Sequence, residues 1–237
     1  MSDAHPGKAI RPLDANERRV LGTLIEKGKT TPDQYPLSLN ALVTGCNQKS
    51  NRDPVMTLDE EQVMRAVKGL REAGAMAEVF GSGKIPRYRH LAYEWLGVEK
   101  EELAILGELL LRGEQTEGDL RGRASRMDPI PDLDALRGHL DRLAERGLVV
   151  WLSPPGRGRM LTHGLLPAEK LEKVRSQLGL SGGMAADGDR TDDAGSQSAA
   201  PASRPSYTAS HDVETRLAAA EEAIAELRRR LDELTGT

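Results

Sequence analysis

Aromatic residues make up only 3% of the 237 residues, with one phenylalanine, two tryptophans and four tyrosines. Any core must therefore rest on Leu, Val, Ile and Ala, a composition that favours helices over a large β-sandwich. Cysteine occurs once, as Cys46, so no internal disulfide can form and a reducing compartment is expected. No stretch nears the ~18 consecutive apolar residues of a membrane-crossing helix. Residues 1–12 hold no apolar leader run and read as disordered. Together these absences predict a cytoplasmic protein without membrane contact. A block of one charge is also missing. The formal net charge is −4, residues 13–95 and 97–166 are each close to neutral, and most of the acidic excess follows residue 167. Dedicated nucleic-acid binders usually carry a basic block, so composition argues mildly against strong phosphate-driven binding.

What is present is an internal repeat. Val20, Leu21, Leu24 and Ile25 form one apolar helical face, and 85 positions later stand Ile105, Leu106, Leu109 and Leu110. The same shift maps Gly22 onto Gly107, Gly28 onto Gly113 and Thr31 onto Thr116. This reads as two helices with one buried stripe and one glycine stop. A shift of 73 maps Asp59, Val63, Val67, Leu70 and Gly74 onto Asp132, Leu136, Leu140, Leu143 and Gly147. The shifts differ by 12, which places an insert of about a dozen residues in the first copy, near residues 47–56.

Local signals fit this repeat. Asp14 with Glu17, and Thr57 with Glu60, have capping-box spacing. Leu39, Leu42, Val43 and Cys46 predict a short middle helix from near Ser38, and Thr116 with Asp119 opens its counterpart. Each third helix precedes a hairpin. Strands are expected over 76–80 and 87–91 around the turn 81–84, and over 148–152 and 159–163 around the turn 154–158. Three helices followed by a hairpin is the order of a winged helix. The fold class is therefore mainly α with small β-hairpins: winged-helix (helix-turn-helix) domains over 13–95 and 96–178, the second with a trailing helix over 166–178.

Residues 179–210 are rich in Gly, Ala, Ser, Asp and Pro and read as a disordered linker. Within 211–237, Val213, Leu217, Ala220, Ile224, Leu227, Leu231 and Leu234 alternate spacings of four and three, the seam of a coiled coil. Pairing of this helix predicts a homodimer.

One segment carries a family resemblance. Residues 31–38 (Thr-Pro-Asp-Gln-Tyr-Pro-Leu-Ser), Asn40 and residues 46–56 (Cys-Asn-Gln-Lys-Ser-Asn-Arg-Asp-Pro-Val-Met) resemble the signature of the YceH family of bacterial proteins. Residues 111–116, 120–123 and Arg126-Met127 resemble it in the second copy. Small departures are Glu114, where Pro would be expected, Asp53 for Glu, and Lys84 for Arg. The resemblance covers about residues 13–166. It implies a tandem winged-helix fold, no enzymatic activity and no settled biochemical role.

Candidate chemistry is sparse. The five histidines are scattered without metal-ligand spacing, Cys46 lies on an apolar helix face, and Gly81-Ser82-Gly83-Lys84 lacks the length of a phosphate loop. No cofactor, metal site or catalytic set is expected. Candidate contacts with double-stranded DNA or a protein partner are Asn47, Gln48, Lys49, Asn51 and Arg52 in the polar run. On and after the third helix come Arg65, Lys68, Lys84, Arg87 and Arg89; the second copy offers Arg121, Arg123, Arg126, Arg157 and Arg159. For the polar run two readings stand side by side: contact with phosphates and base edges, or hydrogen bonds that fix the loop's own backbone. Functionally the pattern suggests a DNA-binding, regulator-like protein, or alternatively a protein-interaction scaffold.

Overall fold

The computed structural model describes residues 10–80, 85–156 and 158–178, all within one compact unit of the chain. The linker and the heptad positions from Val213 to Leu234 lie outside the described residues. The first repeat begins with α1 (Ala15–Thr30), whose Asp14–Glu17 capping box is formed in both directions. A 3-10 turn (Pro32–Gln34) leads to β1 (Leu37–Ser38), α2 (Leu39–Cys46) and α3 (Glu60–Glu72). The hairpin β2 (Met76–Phe80) and β3 (Pro86–His90) follows, then α4 (Ala92–Leu96). The second repeat runs α5 (Lys100–Arg112), β4 (Gln115–Thr116), α6 (Glu117–Ala124), α7 (Leu133–Glu145), β5 (Val149–Trp151), β6 (Met160–His163) and α8 (Ala168–Gln177). The fold is mainly helical with two small antiparallel sheets, a helix-turn-helix-like arrangement.

The sheets share one topology. β3 lies between β1 and β2, and β6 lies between β4 and β5. In each, a two-residue strand just before the middle helix joins the hairpin: Leu37 pairs with Tyr88, and Gln115 with Leu161. These two strands and α4 are additions to the sequence expectation. Two residues are too short to show an alternation.

Four local expectations need correction. α3 is capped by Asp59 and Gln62, not by Thr57 and Glu60: the Asp59 carboxylate accepts from Gln62 N at 2.7 Å, and Gln62 Oε1 accepts from Asp59 N at 3.0 Å. Gly28 does not stop its helix, as Gly113 does, because α1 continues to Thr30. A Cβ at Gly28 would stand 3.3 Å from the His90 ring, so this glycine serves packing. The Thr31–Thr116 match is accidental, since Thr116 caps α6 as Ser38 caps α2. Finally, the offset between copies falls from 85 at α1 to 78 at α2 and 73 at α3. Seven of the extra residues thus precede β1, and only five lie between α2 and α3.

The repeats share one core, a single cluster that runs from Leu13 to Leu165 and includes the apolar stripes of both copies. Its centre is the crossing of α1 and α5, and glycines make that crossing close. A Cβ at Gly22 would lie 2.9 Å from Leu111 Cγ and 3.1 Å from Leu110 Cβ; one at Gly107 would lie 2.7 Å from Ile25 Cγ2. Since Gly107 and Leu110 are the counterparts of Gly22 and Ile25, the contact is reciprocal. Lys29 adds a bridge from α1 to Asp128 and to the carbonyl of Lys100.

Candidate interaction surface

The polar run after α2 is turned inward. Asn47 ends α2 and binds Leu58 twice, its Nδ2 donating to Leu58 O at 2.8 Å and its Oδ1 accepting from Leu58 N at 2.7 Å. Arg52 is only 4% exposed. Its guanidinium donates to Gly45 O at 2.8 Å and to both Glu26 oxygens, the shorter bond being 2.7 Å. Gln48 Oε1 accepts from Arg52 at 3.1 Å and lies 3.4 Å from Lys27 Nζ. Asn51, with a left-handed φ of 58°, accepts from Arg112 of the second repeat at 3.0 Å. Of the five proposed contact residues here, four are engaged in holding the loop, and only Lys49 is freely exposed. The backbone reading of this segment therefore accounts for its geometry: a charge buried without a partner would be costly, and Glu26 supplies one.

The second repeat's cations are likewise occupied. Arg121 donates to the carbonyls of Ile130 and Pro131, and Arg123 to Gln115 Oε1 at 2.7 Å. Arg159 stacks 3.4 Å above the Trp151 ring and donates to Ser153 O. Arg126 is exposed and bonds within its own helix region, to Arg123 O. Arg157, like Lys84, lies outside the described residues.

On α3, Arg65 is exposed but paired with Glu61 at 2.7 Å, and Arg71 is paired with Glu78 at 2.6 Å. Glu60 and Glu61 open the helix and are exposed. Lys68, Arg87 and Arg89 differ. All three are exposed and none forms an ion pair among the described residues. Arg87 and Arg89 alternate with the buried Tyr88, so they share the outer face of β3. Arg87 also donates to Pro36 O at 2.9 Å.

Sequence reasoning missed the apolar tip beside them. Phe80 at the end of β2 and Ile85 before β3 are 67% and 69% exposed, the largest values among the exposed large apolar side chains described. The chain's only phenylalanine is therefore spent on the surface. The signal was available, since an apolar residue flanks each side of the polar turn 81–84.

Burial favours the neutral form of three titratable groups. Burial pushes His90 down to about 4 and His163 down to about 3. Each Nδ1 accepts a backbone N–H two residues on, His90 from Ala92 at 3.4 Å and His163 from Leu165 at 3.2 Å. Burial also raises the Cys46 thiol, whose Sγ lies 3.6 Å from Thr23 Oγ1. Among the described residues, no group of three or more His, Cys, Asp or Glu could hold a metal ion, and no helix is long and apolar enough to cross a membrane.

Comparison with known proteins agrees on one family. A UPF0502 protein of Rhodopirellula baltica is 56% identical over 171 residues, covering 70% of this chain and 72% of that protein. One of Geobacter sulfurreducens is 56% identical over 134 residues (56% of this chain, 61% of its own length), and one of Koribacter versatilis is 47% identical over 161 (66% and 75%). Residues 13–157, from the start of the first repeat to just past β5 of the second, match the family described as protein of unknown function, DUF480, and the chain belongs to that family.

Proposed function

We propose that each repeat is a winged helix and that the protein is non-enzymatic, working by docking its first wing onto a partner protein. The observation that carries this reading is the exposed pair Phe80, at the end of β2, and Ile85, just before β3, with Arg87 and Arg89 beyond them. Large exposed apolar side chains have a desolvation gain to offer only to an apolar recess. The neighbouring guanidiniums, without ion pairs among the described residues, fit a recess edged with carboxylates. The acidic opening of α3 and the ion pairs of Arg65 and Arg71 also suit a protein partner better than a phosphate backbone. In the same proposal, the heptads over 213–234 pair two chains in the cytoplasm, and the YceH motif family and this family are the same group.

DNA binding is the second reading, favoured by one observation: Arg87 and Arg89 stand on one strand face without carboxylate partners among the described residues. A single experiment separates the two. The full chain carries a photo-crosslinking phenylalanine analogue at position 80 and is irradiated in cells. The docking reading expects a discrete adduct that survives nuclease and disappears with Ile85→Asp. A nuclease-sensitive adduct, weakened by salt and by Arg87→Glu with Arg89→Glu, establishes DNA instead. Absence of any adduct defeats both.

A further inference from the structure

A cavity of about 310 Å³ lies where the two repeats meet, bordered by α1, the end of α5, β6 and α8. Its walls include Arg18, Arg19, Arg112, Thr162 and Lys170, with Asp53 and Glu114 as the carboxylates. Two of these residues are buried with polar atoms left unused. Arg19 is 2% exposed; its Nη atoms donate to Cys46 O at 3.0 Å and Pro54 O at 2.6 Å, while its Nε has no partner. Thr162 is fully buried, and its Oγ1 has no partner.

Arg18 and Arg19 differ from the other inward arginines. Arg52 has Glu26, and Arg112 has Glu108 at 3.1 Å. Among the described residues, neither Arg18 nor Arg19 has a carboxylate at ion-pair distance; Arg18 donates only to Leu13 O at 2.6 Å. A withdrawn cation without an anion is costly, and so is an unused buried hydroxyl. One anion in the cavity answers both, since guanidinium N–H and threonine O–H are donors to the same kind of oxygen.

We propose that this cavity binds a small organic oxyanion, towards whose oxygens the Arg19 guanidinium and the Thr162 hydroxyl turn from the wall, with Arg18 and Lys170 supplying charge at the rim. The volume is at the low end for ligand sites, about 300–1,000 Å³, which suits a small phosphate ester or polycarboxylate. Leu166, Lys170 and Val174 reach the cavity at four-residue spacing, so α8 forms its edge. No residue of α8 is fully buried, and an occupied cavity adds contacts to this helix.

Calorimetric titration of the full chain with inorganic phosphate, and separately with citrate, tests the site. Saturable binding of one probe per chain is expected, with Lys170→Gln and Thr162→Val each weakening it about tenfold. Tighter phosphate assigns a phosphoryl ligand, and tighter citrate a carboxylate. Bound probe should slow amide exchange over residues 168–177. Lys170 is exposed and Thr162→Val removes an unused hydroxyl, so both variants fold; unchanged thermal melting verifies this. Failure of both probes to saturate, or binding indifferent to both substitutions, overturns the proposal.

Discussion

The two sheets are built alike and faced differently. At an offset of 73, Arg87, Tyr88, Arg89 and His90 of β3 correspond to Met160, Leu161, Thr162 and His163 of β6. The inward positions keep their character: Tyr88 and Leu161 are buried, and both histidines fold back on backbone N–H groups. The outward positions do not. Arg87 and Arg89 stand in solvent, whereas Thr162 is fully buried and borders the cavity. Alternation along a strand lets one face change while the other holds the fold. The first copy leaves its outer face in solvent, and the second has Thr162 of its own covered.

The sharpest way to break this comparison is at Glu26, whose counterpart is Leu111. In the first copy the position carries a buried carboxylate for Arg52; in the second it is apolar core. Making the copies match with Glu26→Leu leaves the Arg52 charge buried and unpaired. A loss of about 3 kcal/mol is expected from urea unfolding at pH 7. A loss below about 1 kcal/mol means that the Gly45 and Gln48 contacts suffice and that the copies differ less than their charges suggest.

Acid tests what the copies share. His90 and His163 are neutral in the fold, with values near 4 and 3, against about 6.5 in the unfolded chain. The unfolded state therefore binds more protons below pH 6.5. Stability contributed by each ring is complete above that pH and falls as pH drops towards its folded value. Between pH 7.5 and 5, each histidine should account for a loss of about 2 kcal/mol. His90→Asn and His163→Asn should each flatten the profile by a similar amount, because the amide oxygen still accepts the backbone N–H but never charges. A flattening by only one of them shows that the duplicated device works in one copy alone.

The smallest effects are expected at the crossing of α1 and α5. Gly22→Ala and Gly107→Ala each push a Cβ to within 3 Å of the opposite helix, a clash moderated by alanine's better helix propensity. A net loss of about 1 kcal/mol apiece is expected in chemical denaturation. Unequal losses would reveal that the reciprocal contact is tighter on one side.

Much of this architecture is legible in the chain itself. The spacing of Val63, Val67 and Leu70, repeated at Leu136, Leu140 and Leu143, marks α3 and α7, because a helix that buries one face must repeat its apolar residues. Asp14 and Thr116 announce their helices because a cap is a local bond. What escaped depends on distance. Arg52 looks like a solvated arginine until Glu26 and Gly45 are seen beside it, and β1 exists only because Tyr88, 51 positions on, lies alongside Leu37. The cavity brings together Arg19 and Thr162, 143 positions apart, and no local window of sequence contains both.

The mutual fit of Gly22 with Leu110 and of Gly107 with Ile25 has a consequence for ancestry. It is the arrangement by which two identical short chains associate about a twofold axis, each offering the other the same notch and ridge. Once tethered end to end, such halves no longer depend on meeting in solution, because the tether holds their local concentration high. Selection could then treat them as different molecules: one half free to acquire a recognition surface, the other free to enclose a chamber.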